Sequence, residues 1–153
     1  MISVEEARER ILANFQRLSV ERKPLLAALG QVLAADVVSP YDLPPLANTG
    51  MDGYALQAAD TAGASEAAPV RLRVITNLAA GYVSDVPIGP GEAARIMTGA
   101  PIPPGADAVV PFEETDEVLR GPNEQPRPGG EVAIFKAAKH GANVRERGGD
   151  VRA

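Results

Sequence analysis

The sequence predicts a mainly β fold with accessory helices, built around a small inserted β domain spanning residues 48–134. Three observations point there. Fifteen Gly and fourteen Pro favour short strands and shaped loops over a helical bundle. Several short runs of branched apolar residues are separated by clusters of turn-forming residues. Helical periodicity is confined to the first part of the chain, so helices do not alternate with strands as a doubly wound sheet requires. A closed barrel is compatible with this spacing, although the strand order cannot be read from it. With aromatic residues at only 4%, the core must rest on Leu, Val, Ile and Ala.

Taken in order, Ser3 and Glu6 fit a helical capping box, with Ile2 placed as its staple. Val4, Ala7, Ile11, Phe15 and Leu18 then recur at three- and four-residue intervals, which predicts a helix over 3–18. Its apolar stripe needs a partner surface, either within this chain or on another domain or subunit. Pro24 suits the first turn of a second helix, whose face would be Leu25, Leu26, Leu29, Val32 and Leu33, interrupted at Gly30. The chain is then expected to become extended over 35–38 and to pass through the proline-rich PYDLPPLANTG connection.

Strand character follows in LRVI at 72–75, AARIM at 93–97, DAVVPF at 107–112 and EVAIF at 131–135, and more weakly in ANVR at 142–145. The acidic EETDE run reads as a solvated strand end. GPNEQPRPGG reads as a loop, because Pro122, Pro126 and Pro128 oppose a continuous strand. Segment 61–69 reads as an irregular connection.

Composition narrows the chemistry. A formal charge of -5 argues against generic nucleic-acid binding, while a local anion site of backbone amides stays open. With no cysteine and one histidine, a disulfide, a zinc–cysteine cluster and a Cys–His nucleophile are excluded. The N-terminus lacks a secretory pattern, and no apolar run is long enough to span a bilayer. A cytoplasmic protein without membrane partners is the expectation.

Two loops stand apart. In NTGMDGYAL at 48–56, Gly50 and Gly53 bracket Asp52 and give the backbone room to turn on both sides. Asp52 could hold a cation directly or through water, or serve only an Asx-stabilised turn. In RIMTGAPIPPGADAVV at 95–110, Thr98 offers a hydroxyl and Gly99 permits close backbone approach. Successive amides there could receive an oxyanion, or the segment is an ordinary turn; it lacks the ending of a Walker loop. Glu113 and Glu114 are adjacent and read as solvated, and His140 reads as a surface residue. Arg145, Arg147, Lys136 and Lys139 could attract an anion or form exposed salt bridges.

The strings LPPLANTGMDGYA, GEAARIMTGAPIPPGADAVVPFE and GANVRERGGDV, in that order, closely resemble the molybdopterin molybdenumtransferase family, and the similarity extends through nearly all 153 residues. The chain departs from the family where Ala47 stands in place of a frequent Asp and Gly149 in place of Glu.

This resemblance implies a fold and a reaction. The small inserted β-barrel-like domain over 48–134 would sit beside an incomplete elongated α/β region. Residues 1–47 would be the helical arm and the first part of that region, and residues 135–153 its return segment. Family members take adenylylated molybdopterin and molybdate, release AMP and leave molybdenum on the dithiolene, with Mg2+ participating. By resemblance, Asp52 would be the catalytic and metal-handling carboxylate, with Thr98 and Gly99 contacting the substrate. Asp107 and Glu113 occupy other recurrent positions. The chain would self-associate through the elongated region, and the missing large domain of a partner subunit would complete the cleft. Alone, these 153 residues are expected to be inactive. A scaffold or protein-interaction module derived from the same fold is the competing class.

Overall fold

The computed structural model describes residues 2–121 and 124–153, which divide into two compact units, Met1–Val38 and Ser39–Ala153. The structure is mainly β, as the composition predicts: the described residues form one α-helix, short 3-10 turns and two sheets.

In the first unit, α1 spans Val4–Leu12. Ser3 caps it as expected, its Oγ accepting from the Glu6 amide at 3.1 Å. The reciprocal half of the box is replaced by an ion pair, with Glu6 taking Arg10 at 2.7 Å. The helix stops six residues short of the expected Leu18. Asn14 Nδ2 donates to the Arg10 carbonyl at 2.7 Å, and the amides of Asn14 and Phe15 tighten onto Ile11 and Leu12. Side-chain capture of a late carbonyl competes with the next helical turn.

The second expected helix is reduced to a single 3-10 turn, Leu25–Ala28, and Leu29 already has an extended ψ of 128°. The stretch 35–38, expected to be extended, forms no strand. The reduced second helix has a physical cause. Among the described residues of this unit none is buried, and a short helix without a packing surface is marginal in water.

Among its described residues the second unit carries seven strands. β1 is Asn48–Thr49, β2 Gly53–Leu56, β3 Val70–Leu78, β4 Glu92–Ile96, β5 Ala108–Pro111, β6 Glu131–Ile134 and β7 Val144–Arg145. Five form a sheet in the order β5-β2-β4-β3-β6, antiparallel except for the parallel pair β3 and β4. Beyond β5, Thr115 bridges Ile134, and the Phe135 amide donates to the Glu114 carbonyl at 2.8 Å. The segment after one edge strand thus docks on the opposite edge, and the sheet curls into a half-barrel.

Both faces of this sheet are covered. Tyr54, Leu56, Leu72, Val74, Val110, Val132 and Ile134 form one apolar cluster. Ala55, Leu78, Ile88, Ala94, Ile96 and Val109 form the other. Double coverage explains why β2, an interior strand of the sheet, escaped the sequence reading: all four of its residues are buried, so no alternation marks it. The acidic run after β5 likewise departs from a solvated strand end. It folds into the 3-10 turns Phe112–Glu114 and Asp116–Leu119, and Glu117 is buried. Pro126 and Pro128 lie outside any strand; Pro122 lies outside the described residues.

β1 and β7 pair as an antiparallel ribbon that continues to a bridge between Leu43 and Val151. Chain entering and chain leaving the sheet therefore run side by side. This ribbon delivers Asn48 and Thr49 to the loop that carries Asp52.

Candidate functional site

The Asp52 loop and the Thr98 loop emerge from neighbouring strands. β2 and β4 pair with Tyr54 opposite Arg95 and Gly53 opposite Ile96, so residues just before Gly53 meet residues just after Ile96. Asp52 Oδ1 accepts from the Thr98 amide at 2.6 Å and from Thr98 Oγ1 at 2.7 Å. Among the described residues Oδ2 has no partner. Asp52 is half-buried and Thr98 exposed, so the pair faces solvent.

The two loops are stitched further by their backbones. The Gly99 amide donates to the Thr49 carbonyl at 2.9 Å, and the Thr49 amide to the Ala100 carbonyl at 3.1 Å. Buried Thr49 accepts from the Met51 amide at 3.1 Å through its hydroxyl, which donates back to the Met51 carbonyl at 2.7 Å. Gly99 has φ +83°, a conformation costly for a side chain bearing a Cβ, which is the physical reason for glycine there. Asn48 Oδ1 is buried nearby with no partner among the described residues.

The Thr98 amide holds the Asp52 carboxyl below its ordinary 3.8; the Thr98 hydroxyl and the positive charge of Arg95 add to this, and burial opposes it. Asp42 is lowered as well, chiefly by the Ala153 amide and then by Arg147. Both folded pKa values lie below the unfolded ones, so these groups stabilise the fold above the unfolded pKa. That contribution is lost as pH falls through the folded values. The urea midpoint of the Ser39–Ala153 unit should therefore decline below about pH 4. A D42N/D52N variant should show a shallower decline; an identical acid profile would contradict the assignment.

Beneath the loops lies a cluster that the sequence did not disclose. Glu117 receives the Tyr54 hydroxyl on Oε2. It also receives the Arg95 guanidinium in a fork, with Nη2 to Oε1 at 2.6 Å and Nε to both oxygens at 3.1 Å. Arg95 lies over the Phe112 ring at 4.4 Å, and Phe112 meets Tyr54 edge-on with centroids 5.6 Å apart. Burial, reinforced by Glu117, pushes the Tyr54 phenol well above its usual range, so it stays a proton donor. Glu117 raises the Arg95 pKa further, keeping it cationic. The available signal was a lone arginine between Ala94 and Ile96 in an otherwise apolar strand, which calls for an acidic partner.

Other sequence candidates take structural roles. Asp107 Oδ1 accepts from the Ala58 amide at 2.7 Å, steadying the turn Ala58–Thr61. Glu113 and His140 are exposed. Lys136 pairs with Glu114 at 2.5 Å and Arg147 with Asp42 at 2.7 Å, the salt-bridge alternative in each case. Arg145 lies on β7 opposite Asn48, its Nε about one van der Waals contact (3.5 Å) from where a side chain on Gly50 would begin. Among the described residues no group of three or more His, Cys, Asp or Glu is gathered to hold a metal ion, and no helix is long and apolar enough to cross a membrane.

Comparison with known proteins places this geometry. Residues 2–153 match the family described as the MoeA N-terminal region, domains I and II. Molybdopterin molybdenumtransferase 2 of Mycobacterium tuberculosis (strain CDC 1551 / Oshkosh) is 42% identical over 154 residues, covering 100% of this chain and 35% of the relative. Molybdopterin molybdenumtransferase of Staphylococcus aureus (strain Mu50) is 43% identical over 117 residues, covering 76% of this chain and 28% of the relative. The crystal structure of a molybdopterin biosynthesis MoeA protein from Pyrococcus horikoshii OT3 superimposes with a TM-score of 0.76 at 34% identity, covering 97% of this chain and 37% of that one. The chain thus spans about a third of the length of these relatives. Matched over all but its first residue, the chain belongs to the MoeA N-terminal region family.

Proposed function

We propose that this chain supplies one wall of the cleft in which molybdenum from molybdate is inserted into adenylylated molybdopterin, with release of AMP. The observation that carries this reading is the Asp52–Thr98 pair: a solvent-facing carboxylate fixed through Oδ1, with Oδ2 left over for a ligand. Membership of a family whose relatives are named molybdopterin molybdenumtransferases supports that choice of substrate.

The donor set fits magnesium only in a shared site. One free carboxylate oxygen is far from an all-protein cage, but Mg2+ bound at phosphates commonly takes one or two carboxylates and keeps several waters. Asp52 would hold it, and when bound it would neutralise charge on the substrate's phosphates. Asp52 is ionised at neutral pH as an ordinary carboxylate is, and its Thr98 bonds hold its pKa lower still, so it would orient a hydrated cation without competing for protons. Thr98 keeps hydroxyl lone pairs for the substrate while donating to Asp52. Gly99 lets the backbone come close to it. Arg145, beside Gly50, adds positive charge where an anion would enter.

The rest of the cleft would come from the large domain of a partner subunit, with self-association through the elongated region. The chain by itself would be inactive. The test is to extend the chain to the length of its relatives and measure molybdate-dependent AMP release from adenylylated molybdopterin. Turnover is expected. None, alongside an active relative, would remove the enzymatic reading.

The scaffold alternative draws on one observation, the exposure of Phe15, Leu18, Leu25 and Leu26 at 72%, 94%, 87% and 91%. Tight partner binding by an extended chain that never turns over would favour it.

A further inference from the structure

We infer that Glu117 is a positioning residue for the Asp52–Thr98 pair, an inference that rests on reading that pair as the working site. Glu117 lies far from Asp52 in sequence, on the 3-10 turn Asp116–Leu119, and is itself almost wholly buried. Its carboxylate takes one bond from Tyr54 and a fork from Arg95. Those two residues are direct register partners on β2 and β4. Tyr54 lies two residues after Asp52, and Arg95 three residues before Thr98. One carboxylate thus clamps the two strands one register pair inside the ends from which both loops emerge.

Phe112 closes the same clamp from the side. Its ring touches Arg95 and Tyr54, while its amide donates to the Asp52 carbonyl at 3.2 Å. Glu117 is in turn oriented by Thr115, whose hydroxyl accepts from the Glu117 amide at 3.2 Å, and Thr115 bridges β6. The position of the Asp52 carboxylate against the Thr98 amide is therefore referred to the far edge of the half-barrel. A fork between guanidinium and carboxylate fixes angle as well as distance, which a point charge would not do.

A residue that merely stabilised the unit would, on replacement, loosen all its amides together. A positioning residue loosens Thr98 selectively. The experiment is amide proton shift and hydrogen exchange by NMR on the 15N-labelled chain, comparing wild type with Glu117→Gln and Tyr54→Phe. In Glu117→Gln the Thr98 amide should move upfield and exchange roughly tenfold faster than in wild type, beyond any change at Leu72 and Ala94 in the sheet. Tyr54→Phe removes one arm of the clamp and keeps the ion pair, so it should give the same selective change at smaller size. It also serves as the deciding variant if Glu117→Gln does not fold. A Thr98 amide that is unchanged, or that changes only in step with the sheet, overturns the inference. This outcome is independent of AMP release, so failure of the positioning role and failure of the proposed reaction are read separately.

Discussion

Gly53→Ala is expected to unfold the Ser39–Ala153 unit, whereas Gly50→Ala, three residues away in the same string, is expected to be tolerated. A Cβ on Gly53 would lie 2.1 Å from the Val110 carbonyl oxygen, 2.8 Å from its carbon and 3.0 Å from the Pro111 Cα. All three are backbone atoms of β5, which cannot swing aside as a side chain can. Gly53 also has β4 on its other flank, opposite Ile96, so β2 has no free direction in which to move. Relief requires separating β5 from β2, which opens the cluster around Leu56 and Val110. Overpacking a core usually costs about 1–3 kcal/mol, and a backbone clash in a central strand should exceed about 3 kcal/mol. A Cβ on Gly50 instead meets Arg145 Nε at 3.5 Å, an ordinary contact with a long side chain. Urea unfolding followed by circular dichroism checks both. Equal midpoints for the two variants would refute the close-approach argument.

This pair also shows where the sequence was legible. Gly50 and Gly53 look alike in NTGMDGYAL, and both read as turn glycines flanking Asp52. The structure gives Gly53 a different task, close passage of two strands, and neither residue has a left-handed φ. The elements with branched residues and visible turn punctuation were readable: β3, β4, β5, β6 and even the short β7 fall where the strand pattern puts them. β2 was hidden because its two faces are both buried. The second helix was overread because periodicity records a face without recording whether anything covers it. In the site, the Asp52–Thr98 meeting was anticipated only through family resemblance, since nothing in local sequence spacing brings residues 46 positions apart together. Glu117 was hidden in an acidic run, where burial of one carboxylate out of four leaves no compositional trace. Register does that selection: only the chain's return to β6 sets Glu117 under Tyr54 and Arg95.

Asp52→Asn should separate shape from charge at the candidate site. Asparagine keeps an oxygen at the Oδ1 position, so the Thr98 amide and hydroxyl retain their acceptor at nearly the same geometry. What is lost is the negative charge and the free anionic oxygen. Stability near neutral pH should fall by less than about 1 kcal/mol, because a charge-assisted bond becomes a neutral one at a solvent-facing position. In a chain extended to the length of its relatives, kcat/KM for AMP release should drop by roughly 10²-fold or more, the scale seen when one preorganised electrostatic group is removed. Thr98→Ala gives the complementary result. It keeps the amide bond to Asp52, the larger cause of the lowered carboxyl pKa, and removes only the hydroxyl. Its loss of turnover should be smaller than that of Asp52→Asn if the carboxylate carries the function. If Asp52→Asn retains wild-type turnover while Thr98→Ala does not, the hydroxyl contacts the substrate and the carboxylate only shapes the loop. The ranking of these two variants, measured in the same extended enzyme, therefore decides which half of the pair does the chemistry.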